Sequence, residues 1–108
     1  RADLYSLGLT LFHMITGRLP FKGRTAVAVI SQHVNRSVPA ARGFDPEVEV
    51  SPAASALIGF LAARQRDHRY ASAREALESI ERVLSGEQPL RPEGFPRGDE
   101  EITAPAAP

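Results

Sequence analysis

The stretch Arg1–Phe21, RADLYSLGLTLFHMITGRLPF, decides how the rest of the chain is read. From Leu4 to Ile15 its apolar residues are Leu4, Leu7, Leu9, Leu11, Phe12, Met14 and Ile15. Leu4, Leu7, Leu11, Met14 and Ile15 recur at helical spacing, which predicts an α-helix. Leu9 and Phe12 fall on other faces, so the helix is apolar nearly all round and is expected to be buried on nearly all sides. Gly17 offers a stop, because glycine accepts the left-handed conformation that caps a helix, and Pro20 prevents re-entry. A membrane span is the rival reading, but the run is too short for one and carries Asp3, His13 and Arg18. The pattern predicts a central core helix.

Three further helices follow. Thr25 can cap a helix over about Ala26–Asn35, with Val27, Ile30 and Val34 as its apolar stripe and Ser31, Gln32, His33 and Asn35 in water. Residues 36–50 hold Pro39, Gly43 and Pro46 without a period, and read as a loop. Ser51-Pro52 opens the third helix, serine as cap and proline at the first position. Its apolar body is Leu57, Ile58, Phe60 and Leu61, and its alanines permit close approach. Arg64–Ala71 is a charged connection. Ser72 with Glu75 forms a capping box for a fourth helix. Its stripe is Ala73, Ala76, Leu77, Ile80, Val83 and Leu84, with Glu78 and Arg82 paired four apart on the wet side. No strand period and no solenoid repeat occurs. The fold class predicted is all-α, with about four helices.

After Gly86 the composition changes. Pro89, Pro92, Pro96, Pro105 and Pro108 alternate with charges, and only Leu90, Phe95 and Ile102 are large apolar groups. Residues 86–108 are therefore expected to form a disordered Pro-rich linker, unable to offset the entropy of ordering.

The 108 residues carry thirteen basic and thirteen acidic side chains, a formal net charge of zero. That balance gives no electrostatic ground for a nucleic-acid or anionic-membrane partner. Cysteine is absent, which excludes disulfides and thiolate metal sites and agrees with a reducing compartment. His13, His33 and His68 do not fall at metal-ligand spacing, and no serine sits in a nucleophile elbow. The chain opens on Arg1 rather than methionine, which reads as a piece of a longer protein.

Asp3-Leu4-Tyr5-Ser6-Leu7-Gly8, followed by an apolar run, Thr16-Gly17 and Pro20-Phe21, resembles the central helix of the large lobe of protein kinases, bacterial Ser/Thr kinases above all. Helix order agrees, so the resemblance covers about residues 1–84. It implies that residues 1–85 are part of a kinase large lobe: the central helix and the three after it. The complete kinase would transfer the γ-phosphoryl group of ATP to Ser or Thr hydroxyls with magnesium. No glycine-rich phosphate loop or metal-binding aspartate motif occurs here, so the chain alone is expected to be inactive and to hold no cofactor.

By the same resemblance, Asp3 would accept hydrogen bonds from backbone amides of the catalytic loop, a task suited to an acceptor-only carboxylate. Arg69, before the last helix, would pair with a glutamate of the activation segment through its planar fork. The family usually places Asp-Pro ahead of this arginine, whereas Asp67-His68 stands here. Met14 and Thr10, one turn apart, would lie at the base of an apolar column. The expected partners are the N-terminal remainder of the kinase domain, and protein substrates or regulators on the helix Ala26–Asn35. The resemblance implies a cytoplasmic location and allows a membrane anchor beyond Pro108. Thr103, in an acidic stretch, is a candidate phosphorylation site. The alternative is a non-catalytic helical interaction module. A DNA-binding helix-turn-helix is disfavoured by Glu75, Glu78 and Glu81 on the last helix.

Overall fold

The computed structural model describes residues 1–96. Four α-helices, α1 (Ala2–Thr16), α2 (Ala26–Asn35), α3 (Pro52–Leu61) and α4 (Ala73–Leu84), are joined by loops and one 3-10 turn, Arg66–His68. No strand occurs among the described residues. Thr103 and the expected tail beyond Pro96 lie outside them.

The caps follow from the side chains. Oxygens of Thr25, Ser51 and Ser72 accept from the amides of Ala28, Ala54 and Glu75, satisfying N–H groups that a helix start leaves open. Glu75 reaches back to the Ala71 N–H, closing the capping box one residue further out than expected. At the end of α1, Gly17 takes φ 76° and donates to the His13 carbonyl at 2.8 Å.

Two apolar clusters share α1 and α3. Leu4, Leu57, Leu61, Tyr70 and Ala76 form one, and Phe12, Ala41, Val50 and Ile58 the other. The loop of residues 36–50 therefore contributes core, and Phe44 meets Phe12 edge-to-face at 4.9 Å.

Helix α1 is buried on one side only. Leu4, Gly8, Phe12 and Thr16 face inward, while Leu7 and Met14 are exposed, Met14 at 75%. The expectation of burial nearly all round is corrected, because α3 and the middle loop cover a single face. Helix α2 lies the other way round from its periodicity. Val27, Ile30 and Val34 point outward, and His33 and Gln32, expected in water, face the body. Gln32 finds the Lys22 carbonyl at 2.7 Å and His33 finds Tyr5, so the polar side has the partners.

On α4, Leu77 and Leu84 of the expected stripe are exposed, and Ala76 and Ser79 take the inner positions. Arg82 turns from Glu78 toward the segment after the helix, donating to the Gln88 carbonyl at 2.9 Å. That segment packs. Pro89 and Pro92 are buried and Phe95 meets Phe60 at 4.9 Å, so the packed body continues through Pro96 rather than ending near residue 85. Main-chain hydrogen bonds supply what its few apolar side chains do not.

Candidate functional site

Arg69 is placed by the 3-10 turn, whose geometry brings the Arg69 N–H to the Arg66 carbonyl at 3.1 Å. Its side chain is buried. Nε donates to the Ala63 carbonyl at 2.6 Å, Nη2 to Arg64 at 3.2 Å and Nη1 to Arg1 at 3.2 Å. One guanidinium thus gathers two carbonyls of the connection that follows α3 and the carbonyl that begins α1, an arrangement suited to a five-donor planar group. An N–H on each terminal nitrogen remains beyond these bonds. Burial draws the guanidinium below its usual value, opposed by Tyr5 and reinforced by Arg66, and it keeps its charge at neutral pH.

Tyr5 lies beneath it, the guanidinium carbon 4.6 Å from the ring centroid, a cation–π distance. Burial raises the Tyr5 phenol above its ordinary value, and the Arg69 charge acts against that rise. The Tyr5 hydroxyl is 2.6 Å from His33 Nδ1, the tautomer deciding which donates. Phe21 meets the His33 ring edge-on at 4.9 Å. Arg69, Tyr5, His33 and Phe21 form a row tying the 3-10 turn, α1, the turn before α2, and α2 itself. Sequence reading picked out Arg69 and passed over Tyr5 and His33. Tyr5 was legible only as the aromatic of the motif, and His33 looked like a wet face.

Asp3 stands in the first turn of α1, exposed, where the helix dipole favours a carboxylate. No hydrogen bond or ion pair reaches it among the described residues. Thr10 is exposed and its hydroxyl donates to the Ser6 carbonyl at 2.9 Å. Asp3, Leu7, Thr10 and Met14, spaced four, three and four apart, form one outward row of α1. The row is open to solvent in this structure. A shallow cleft flanks its lower end, lined by Met14, Leu19, Phe21, Val29 and His33 among others.

Lys22, the chain's one lysine, is exposed, and no three His, Asp or Glu side chains among the described residues gather where they would hold a metal ion. No helix among them is long and apolar enough to cross a membrane.

No protein-family model matches the sequence. Individual proteins do. A probable serine/threonine-protein kinase of Streptomyces coelicolor is 40% identical over 87 residues, covering 81% of this chain and 13% of that protein. The serine/threonine-protein kinase PrkC of Bacillus subtilis is 30% identical over 103 residues, 95% of this chain and 16% of its own length. PknB of Mycolicibacterium smegmatis is 38% identical over 93 residues, 85% of this chain and 14% of its length. The chain belongs to the bacterial serine/threonine-protein kinases. It spans a small part of each kinase that it matches. On this kinase segment, Asp3 and Arg69 sit at opposite ends of one short route, since Arg69 holds the carbonyl two residues before Asp3.

Proposed function

We propose that this chain is the scaffold portion of a Ser/Thr kinase large lobe, in a parent that transfers the γ-phosphoryl of ATP to protein Ser or Thr hydroxyls. The observation that carries the reading is the outward row Asp3, Leu7, Thr10 and Met14. An apolar helix with an acceptor-only carboxylate at its head is the surface a catalytic loop would cover. Asp3 would hold the amides of that loop, and Met14 with Thr10 would join an apolar column completed by the rest of the domain.

Arg69 would tie the activation segment. Its two remaining terminal N–H donors suit a carboxylate approached from outside, without loss of the carbonyls it already holds. Helix α2 would be the docking face for substrates or regulators, because Val27, Ile30 and Val34 line its outer side. The parent's cytoplasmic location and its need for ATP and magnesium belong to the same reading.

The test is phosphoryl transfer by the full-length protein with magnesium and ATP on a Ser/Thr peptide. Asp3→Ala should lower kcat by about 10- to 100-fold, the worth of a charge-assisted hydrogen-bond anchor, with KM for ATP little changed. The chain alone should transfer nothing. Inactivity of the full-length protein, or full activity of the Asp3 variant, would refute the reading.

One observation favours the alternative, a free-standing interaction module. Every buried side-chain nitrogen and oxygen among the described residues has a hydrogen-bond partner, as a self-sufficient fold requires. A sharp, reversible, monomeric melt of this chain would support that alternative. A weakly cooperative transition with dye binding would support the scaffold.

A further inference from the structure

Residues 87–96 turn back after α4 and are fastened along their length. The Glu87 N–H donates to the Arg82 carbonyl at 2.8 Å, and Arg82 Nε to the Gln88 carbonyl at 2.9 Å. Further on, the Tyr70 hydroxyl donates to the Leu90 carbonyl at 2.6 Å, and the Leu90 N–H to Ser79 Oγ at 3.0 Å. Phe95 lies edge-on against Phe60, and Gly94 rests on the backbone of the 3-10 turn. A Cβ at residue 94 would stand 2.0 Å from the Asp67 carbonyl oxygen, so glycine alone fits.

The turn beneath Gly94 is the one that presents Arg69. Asp67 pairs with Arg1 at 3.1 Å on the surface, and Arg69 holds the Arg1 carbonyl from within. That carbonyl also accepts the Tyr5 N–H at 3.2 Å, the bond that starts α1. Contacts therefore run without a gap from Gly94 through the 3-10 turn and Arg69 to the first turn of α1, where Asp3 stands. Large apolar anchors on the segment are confined to Leu90 and Phe95. With the buried Pro89 and Pro92 and a few main-chain bonds they hold the segment by far fewer apolar contacts than the helices have, which puts its opening at the low end of local unfolding, well below the cost of opening α3.

We infer that residues 87–96 are a releasable strap whose seating on the 3-10 turn holds the first turn of α1 in register. Through Asp3 the strap would then report on whatever follows it in the protein, a consequence that rests on the proposed role of Asp3.

Hydrogen exchange on the full-length protein tests this, comparing wild type with Gly94→Val and with the milder Phe95→Ala. In the wild type the Leu90 and Phe95 amides, bonded to Ser79 Oγ and the Pro92 carbonyl, should exchange at least about ten-fold more slowly than open chain. Both variants should speed the Phe95 amide by about ten-fold or more, and the Arg69 and Tyr5 amides several-fold, leaving unchanged the Ala62 amide, which caps α3 on the Ile58 carbonyl. Peptide phosphorylation should lose kcat in proportion, with KM kept. Leu90 and Phe95 amides unprotected in the wild type would overturn the strap. Released variants with Arg69 and Tyr5 amides at wild-type rates would overturn the coupling. The exchange result decides both points even if phosphoryl transfer is absent from the wild type, an outcome that counts against the kinase reading alone.

Discussion

Gly8 of α1 faces Ala62, the residue that caps the end of α3, so closely that a Cβ on residue 8 would stand 2.8 Å from the Ala62 Cβ and 3.0 Å from its amide nitrogen. The two helices cross at this point with backbone nearly against backbone. Gly8→Ala should therefore lower stability although alanine is the better helix former, because the backbone of α3 cannot step aside as a flexible side chain would. The expected loss is about 1–3 kcal/mol, the usual cost of overpacking. Urea denaturation followed by far-ultraviolet circular dichroism measures it, and an unchanged or raised midpoint would contradict the close crossing.

Arg69 is expected to resist replacement by lysine. An ammonium keeps the charge but cannot address the Ala63, Arg64 and Arg1 carbonyls from one planar fork. Arg69→Lys should cost about 2–4 kcal/mol, the penalty of carbonyls left without donors in a buried place. Arg91→Lys, on the exposed face of the strap, should cost under about 0.5 kcal/mol as a surface change. Parallel denaturant titrations of the two variants check the contrast.

Tyr70 predicts a dependence of stability on alkaline pH. Burial raises its phenol above the ordinary value of 10.0, Glu75 adds to the rise, and a hydrogen bond with Ser79 opposes it. A group that holds its proton more tightly when folded stabilises fully below the unfolded value. That contribution is lost as pH climbs through 10.0 toward the higher folded value. Tyr5, also raised, adds to the same window. Tyr70→Phe should flatten part of this slope and lower stability near neutrality by about 1 kcal/mol, through the donor lost to the Leu90 carbonyl. Denaturant midpoints from pH 8 upward, wild type against variant, give both effects on the scale set by the free phenol.

The uncovered apolar side chains should govern association rather than folding. Met14, Val27 and Leu84 are 75%, 76% and 82% exposed. Changing each to lysine or glutamate should move stability by no more than about 0.5 kcal/mol. Light scattering of this chain should show self-association falling with each change and most with all three together. A monomer whose scattering ignores these substitutions would indicate that the patches are too dispersed to matter.

The helices were legible because their punctuation is chemical and local. Thr25, Ser51-Pro52, Ser72 and Gly17 each act on the nearest turn of backbone, and all four do in the structure what their chemistry demands. Orientation was less legible. Val27, Ile30 and Val34 mark a stripe, and a stripe does not say which side meets the body. Tyr5 and Phe21 decided that by engaging His33, over a separation no local pattern spans. The packing of residues 87–96 was hidden for a related reason. It rests on the buried hydroxyls of Tyr70 and Ser79 meeting main-chain atoms, and main-chain atoms leave no trace in composition. Arg69 was legible as an arginine with a task, and its three carbonyl partners were not.

The grip of Tyr70 and Ser79 on Leu90 is taken on peptide atoms, so replacing most side chains along this stretch leaves the clasp its handholds. Spacing has no such freedom. One residue inserted or deleted between Leu90 and Gly94 would carry a Cβ-bearing neighbour onto the Asp67 carbonyl. Relatives of this chain should thus vary freely in the lettering of the segment while keeping its count, measured from the serine on α4 to the glycine that closes it.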